Sequence, residues 1–196
     1  MYDLPTYVLL SGQPFAVRNR GDFRTVIDCF LALEDADLTK EERIIACLII
    51  FYEDINSLED FNKLPDIELA YNEMVRFFNC GQDSVGSSSS YKLLDWEKDS
   101  LLICSAVNNV AQKEVRSEPY LHWWTFMGYY LAIGECSLST IVNIRHKRAT
   151  GKKLEKYEQR FVKENPQYFW NIQTVEEQEM DAEIRKIWDS GGQIDG

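Results

Sequence analysis

Few residues in this chain have the chemistry for catalysis or metal binding. His122 and His146 are the only histidines, and neither has Cys, His or carboxylate partners at the spacing of metal ligands. Gly151-Lys152 matches only part of a phosphate-binding loop, because His146 replaces its first glycine and Lys153 replaces its magnesium-binding Ser or Thr. The sequence also lacks a nucleophile elbow and a dinucleotide-binding glycine motif. We therefore expect no enzyme activity and no metal or cofactor.

Residues 120–130 are rich in aromatic side chains. On a helix, Tyr120, Trp123 and Trp124 would share a face at positions i, i+3 and i+4, whereas His122 would turn toward another face. Burial in the core is the simpler interpretation, with His122 a core histidine whose hydrogen bonds are satisfied. Trp and Tyr also anchor many protein interfaces, so the alternative interpretation is that these residues line a binding groove. The aromatic candidates for protein binding are Tyr120, Trp123, Trp124, Phe126 and Tyr130.

Residues 143–163 form a basic segment in an otherwise acidic chain. They contain eight Lys and Arg residues against two Glu residues, whereas residues 164–196 contain two basic and eight acidic residues. One interpretation is a solvated helix face that the acidic terminal helix neutralises. The other is an electrostatic contact for an acidic segment of a partner protein, and nucleic acid is the weakest alternative. The basic candidates for protein binding are Arg145, Lys147, Arg148, Lys152 and Lys153.

The elements that must position these side chains are mostly helices. Residues 6–18 alternate around Ser11-Gly12-Gln13-Pro14 and predict a short β-hairpin. Asp22 is typical of a helix N-cap, and Thr39 with Glu42 forms a capping-box pattern. Together with apolar periodicity, such signals predict helices over 23–33, 40–52, 66–79, 95–112, 120–133, 137–148, 152–164 and 174–188, with a short helix starting at Ser57. The fold class is therefore mainly α with a short N-terminal hairpin.

The distribution of small polar residues suggests how the chain is divided. Residues 81–91 contain a Gly- and Ser-rich stretch that predicts a flexible linker. It would separate an N-terminal part, residues 1–80, that contains the hairpin and helices from a helical part, residues 92–190. Residues 191–196 are expected to form a disordered tail.

Composition restricts the surroundings and partners of the chain. With 196 residues, 45% of them apolar, and a net charge of −11, it can bury a core but repels nucleic-acid phosphates. The longest apolar run, residues 44–52, is about half as long as a membrane-spanning helix requires. The start of the sequence lacks the pattern of a signal peptide. The odd number of cysteines, five, is typical of reduced thiols in a cytosol. We expect a cytoplasmic protein without a membrane or nucleic-acid partner.

A series of segments resembles a family of small bacteriophage and prophage proteins. Their gene lies between those of the major tail protein and the tape measure in long-tailed phages. The similarity is clearest over residues 93–165. The segments that carry it are Asp95–Asp99 (DWEKD), Tyr120–Phe126 (YLHWWTF), Ile141–Arg145 (IVNIR) and Gly151–Lys156 (GKKLEK).

The resemblance implies a non-catalytic tail assembly chaperone. Such a protein would bind the long, helical tape measure protein, keep it in solution and help to recruit subunits of the tail tube, the major tail protein. It would act in the host bacterial cytoplasm and be absent from the finished virion. The alternative is a structural head–tail connector or tail completion protein that stays in the virion. Association of identical copies is left open.

Overall fold

The computed structural model describes residues 3–83 and 91–169. The chain divides into two compact units, of which the first combines residues 1–86 with 103–133 and the second combines 87–102 with 134–196. This division differs from the predicted one at residues 81–91, because residues 103–133 belong to the first unit. Residues 84–90 of the predicted linker, the predicted helix 174–188 and the predicted tail 191–196 lie outside the described residues.

The fold is mainly helical with a two-stranded antiparallel hairpin near the N-terminus, which confirms the predicted fold class. The strands are β1 (Tyr7–Leu10) and β2 (Gln13–Ala16). The α-helices are α1 (Phe23–Glu34), α2 (Lys40–Phe51), α3 (Ile67–Phe78), α4 (Ser100–Ala111), α5 (Trp123–Leu131), α6 (Ser137–Ala149) and α7 (Lys156–Glu164). Short 3-10 helices cover Leu58–Lys63, Val115–Ser117 and Pro166–Tyr168. In the described part of the chain, no helix has the length and apolar character that crossing a membrane requires.

Local signals account for the hairpin and for several helix ends. Ser11 and Gly12 connect the strands with φ angles of 50° and 81°, the pair of positive values that a type I′ turn requires. The Asp22 carboxylate accepts a hydrogen bond from the Arg24 amide at 3.0 Å at the start of α1. Both hydrogen bonds of the Thr39 capping box are present at the start of α2. The predicted hairpin and these two caps are confirmed.

The core of the first unit is built from aromatic rings. Phe23 of α1 stacks on Phe126 of α5 with ring centroids 4.7 Å apart, and Trp123 stacks on Phe126 at 5.7 Å. Phe51 at the end of α2 meets Phe77 of α3 edge-on at 5.3 Å. Offset and edge-to-face contacts of this kind add stability beyond the area they bury. Helices α1, α2, α3 and α5 are therefore held together by large rings.

The second unit has a smaller apolar core. Its buried residues are Ile141 and Ile144 of α6 together with Phe169. Partly buried side chains pack around them, namely Leu102, Leu154, Phe161, Val162 and Tyr168. The amphipathic face of α7 thus covers α6, which explains why a short and highly charged helix is ordered.

Candidate protein-binding surfaces

The aromatic segment does not form one helical face. Helix α5 begins at Trp123, with His122 as its N-cap, so the prediction that Tyr120 lies on this helix is wrong. The segment before α5 is extended because it pairs with the start of α1. The Leu121 amide donates to the Asp22 carboxylate at 2.9 Å, and the Phe23 amide donates to the Leu121 carbonyl at 2.9 Å. These contacts join residues about one hundred positions apart and stop α5 from starting earlier.

The five aromatic candidates have different environments. Trp123 and Phe126 are buried, with 1% and 0% of their surfaces exposed, and the Trp123 indole donates to the Phe78 carbonyl at 2.9 Å. They are core residues that a partner cannot reach in this fold. Trp124 and Tyr130 are half-buried, and Tyr120 is 40% exposed, with its hydroxyl donating to the Arg20 carbonyl. A protein-binding role therefore stays a prediction for Tyr120, Trp124 and Tyr130.

His122 is a core histidine with both ring nitrogens engaged, as predicted. Its Nδ1 accepts a hydrogen bond from the Trp124 amide at 3.0 Å and caps α5. That role leaves Nε2 to donate to the Pro5 carbonyl at 2.9 Å, which assigns a neutral ring protonated at Nε2. Burial lowers the pKa of His122, against smaller opposing effects of the Pro5 hydrogen bond and the Asp22 charge. His122 thus fixes the N-terminal segment to the start of α5.

A cleft of about 690 Å³ lies in the first unit between the N-terminal segment and α3. Trp124 forms part of its wall, and the indole is fixed by a hydrogen bond to the Phe77 carbonyl at 2.9 Å. The lining residues are Asp3, Leu4, Pro5, Thr6, Tyr7, Val8, Leu9, Glu73, Arg76, Phe77, Gly81 and Trp124. Of these, only Trp124 was predicted from the sequence to bind a partner. The sequence signal that could have indicated this cleft is β1, whose four residues are all apolar. Because side chains alternate between the two faces of a strand, half of these apolar residues face away from the core.

Arg145 is not part of an exposed basic surface. Its side chain is completely buried and makes two hydrogen bonds to the Asp99 carboxylate, at 2.6 and 2.9 Å. The same guanidinium donates to the carbonyls of Leu93 and Tyr168, at 3.0 and 2.7 Å. A planar guanidinium with five donors suits this arrangement because it can bind a carboxylate and main-chain carbonyls together. Arg145 therefore joins three segments inside the second unit.

Lys147 is also engaged within the second unit. Its ammonium lies 2.6 Å from one carboxylate oxygen of Glu158. The other carboxylate oxygen of Glu158 accepts a hydrogen bond from the Glu155 amide at the start of α7. The hydrogen bond from Lys147 is the main reason that the pKa of Glu158 is lowered. Lys147 thus connects α6 to the N-terminus of α7, and its charge is largely compensated.

The remaining basic candidates are exposed. Arg148 lies in the last turn of α6, and Lys152 and Lys153 follow Gly151, whose φ of +67° suits the end of a helix. Within residues 3–83 and 91–169, none of these three side chains has a hydrogen-bond or ion-pair partner. We call Arg148, Lys152 and Lys153 the basic surface. A protein-binding role for it stays a prediction.

Residues 3–83 and 91–169 contain no group of three His, Cys, Asp or Glu residues that could hold a metal ion.

Comparison with known proteins gives one match. The family model described as "Bacteriophage Gp15 protein" matches residues 3–169, which include all described residues of both units. No curated protein matches the sequence. No solved structure matches it either.

Proposed function

The chain belongs to the bacteriophage Gp15 protein family, and from this premise we propose that it is a non-catalytic tail assembly chaperone. Family membership indicates a phage structural or morphogenesis protein. The proposed chaperone binds the tape measure protein and recruits subunits of the tail tube. The observation that carries the proposal is the family match over residues 3–169, together with the resemblance to proteins encoded beside the tape measure gene.

The charge distribution supports binding of a partner protein by the second unit. Arg148, Lys152 and Lys153 are exposed cations that no described side chain neutralises, and they lie close together in the chain. Such a surface attracts an acidic segment and speeds its association, particularly at low salt. The net charge of −11 would keep a complex with an aggregation-prone protein dispersed.

The first experiment is co-expression of this chain with the tape measure protein encoded in the same phage. Size-exclusion chromatography with mass determination would detect a complex, and blotting of purified virions would locate the chain after assembly. The proposal expects a tape measure protein that is soluble only with this chain, and virions without it. A ring that stays in the virion and does not bind the tape measure protein would indicate a head–tail connector instead.

Charge reversal tests the basic surface directly. We expect Lys152→Glu with Lys153→Glu to weaken the complex about tenfold or more at low salt and less at high salt, because exposed charges are screened. Lys63→Glu with Lys113→Glu makes the same change in net charge on the first unit and serves as the control. Equal effects of the two pairs would mean that only net charge matters. Arg145 is not part of this charge reversal, because reversing a buried charge would unfold the second unit.

A further inference from the structure

The hairpin has one edge whose main-chain groups face away from the partner strand. Hydrogen-bonded and non-hydrogen-bonded pairs alternate along antiparallel strands. The Val17 amide donates to the Thr6 carbonyl at 2.9 Å, so this pair is a hydrogen-bonded one. The register places Tyr7 opposite Ala16 and Leu9 opposite Pro14, which are the alternate pairs. The N–H and C=O groups of Tyr7 and Leu9 therefore face outward from β1.

The two edges of the hairpin differ. On β2, Pro14 has no N–H group, and the Ala16 carbonyl accepts a hydrogen bond from the Glu53 amide at 3.0 Å. Proline and a covering segment are ordinary means of blocking strand addition. Among residues 3–83 and 91–169, the outward main-chain groups of Tyr7 and Leu9 have no such cover. Only the β1 edge thus offers two donors and two acceptors at strand spacing.

The cleft of the first unit follows this open edge. Its lining contains seven consecutive residues, Asp3 to Leu9, and none from β2. The other lining residues are Glu73, Arg76 and Phe77 of α3 together with Gly81 and Trp124. The side chains of Tyr7 and Leu9 are 52% and 54% exposed beside the edge. A strand next to a helix, with a groove between them, is the arrangement in which several domains bind peptides by strand addition.

We propose that the β1 edge binds an extended segment of the recruited tail-tube subunit as an added strand. Main-chain hydrogen bonds to Tyr7 and Leu9 would hold the segment, and its apolar side chains at alternate positions would cover those two residues. The inference rests on the proposed function for the identity of the partner. It adds that this partner presents a strand, because an α-helix has no free main-chain groups to offer the edge.

The charges around the cleft specify the segment further. Asp3, Glu73 and Arg76 line the cleft, and the Arg76 guanidinium lies 3.7 Å from Glu73 and 3.4 Å from Asp83. The excess of negative charge favours a segment that carries Lys or Arg. It also disfavours a second copy of this chain, because pairing two β1 edges would bring two acidic rims together.

The test uses the full chain with the major tail protein as the probe and the tape measure protein as the reference partner. Hydrogen exchange of residues 5–12 is measured free and in complex. Binding of the tail protein is expected to slow exchange at Tyr7 and Leu9 about tenfold or more, because an added strand shields both amides.

Leu9→Pro removes one outward N–H group without removing a hydrogen bond of the hairpin. We expect it to weaken binding of the major tail protein by up to about tenfold, as the loss of one main-chain hydrogen bond would. Ala16→Pro places the same residue on the β2 edge and should leave binding within about twofold. Leu9→Thr keeps the N–H group and separates the loss of the side chain from that of the donor. Circular dichroism and thermal unfolding check that both proline variants fold.

The outcomes separate this inference from the proposed function. A complex with the tail protein that leaves residues 7 and 9 unprotected, or that tolerates Leu9→Pro, overturns the inference and leaves the proposed function intact. A complex with the tape measure protein alone overturns the inference and leaves only the tape measure part of the proposed function. Protection that appears in the free chain with rising concentration, together with a dimer mass, would assign the edge to a second copy. Failure of both proteins to bind overturns the proposed function and this inference together.

Discussion

The two units bury polar groups in opposite ways. In the first unit, a neutral ring, that of His122, lies among aromatic side chains and is satisfied by a main-chain amide and a main-chain carbonyl. In the second unit, the guanidinium of Arg145 and the carboxylate of Asp99 are both completely buried, and the apolar cluster of this unit is small. At these two positions, the first unit thus buries a neutral ring, whereas the second buries a pair of charges that only the folded geometry brings together.

This difference shows why a cluster of basic residues in a sequence is not automatically a binding surface. Removing two charges from water costs several kcal/mol per ion, and their attraction compensates only when the geometry is good and the remaining donors are satisfied. Arg145 meets both conditions through Asp99, Leu93 and Tyr168. Its neighbours Lys152 and Lys153 meet neither, and they stay exposed.

Of the substitutions that test this difference between the two units, Arg145→Met should have the largest effect on stability. Arg145→Met should lower the free energy of unfolding of the second unit by about 3–5 kcal/mol, because the buried Asp99 carboxylate would lose its counter-charge and two carbonyls would lose the Arg145 donors. Hydrogen exchange measured by mass spectrometry can follow each unit separately. Exchange should rise in residues 137–164 and stay nearly constant in residues 23–78.

A double variant separates the effect of the ion pair from that of the main-chain hydrogen bonds. Arg145→Met with Asp99→Leu removes both charges, so it should recover much of the stability that Arg145→Met alone loses. A double variant as unstable as the single one would assign the loss to main-chain hydrogen bonds, those of Arg145 to the two carbonyls and that of the Asp95 amide to Asp99, and not to the ion pair.

A second effect concerns the tight packing of the first unit. Gly21 has a φ of +76°, and a Cβ atom there would lie 2.7 Å from the Phe77 ring and 3.1 Å from the His122 ring. Gly21→Ala should therefore cost about 2 kcal/mol or more, through backbone strain and overpacking. Urea unfolding measures the change. Gly128→Ala is the matched control in α5, where a Cβ meets nothing within 4 Å, and it should stabilise by about 0.5–1 kcal/mol.

The pH dependence of the free energy of unfolding tests whether His122 is neutral in the folded chain. The pKa of His122 is lowered by burial, so the unfolded chain binds more protons than the folded chain as the pH falls through the ordinary histidine range. The free energy of unfolding of the first unit should therefore decrease between about pH 7 and pH 5. His122→Asn keeps an N-cap acceptor but cannot titrate. Unfolding curves at several pH values should show a weaker dependence in this variant, and an equal dependence would assign the effect to other groups.

The smallest effect is expected for an exposed ion pair. Arg160 and Glu164 of α7 lie 2.7 Å apart with 80% and 56% of their side chains exposed. Because water screens this pair, Arg160→Ala should leave the urea midpoint of unfolding unchanged within error. A clear loss of stability would mean that exposed charges also hold the second unit together, and the contrast with Arg145 would be weaker.

Local signals in the sequence predicted local structure well. The Ser11-Gly12 turn, the Asp22 cap and the Thr39 capping box each depend on contacts within a few residues, and the structure contains all three. The predicted start of α5 at Tyr120 was wrong because the segment before α5 pairs through Leu121 with Asp22, about one hundred residues earlier in the chain. Periodicity reports which side of a helix is apolar, but it contains no information about such distant pairing.

The candidate site was predicted less completely for the same reason. Composition indicated a basic segment, and the exposed Lys152 and Lys153 agree with it. The burial of Arg145 could not be predicted, since Asp99 lies 46 residues earlier in the chain. The open edge of β1 was also missed, because a hairpin pattern defines which residues pair with each other but not which edge another segment covers.

The division of the first unit into two stretches also determines when it can fold during synthesis. Its N-terminal stretch ends at residue 86 and its second stretch begins at 103, so residues 87–102 of the other unit leave the ribosome in between. Until α5 has emerged, Phe23 lacks the Phe126 ring, and the carbonyls of Phe77 and Phe78 lack the two indoles that cap them. The aromatic core of the nascent chain therefore stays incomplete while residues 79–126 are synthesised. A fragment that ends near residue 80 would remain in that unfinished state.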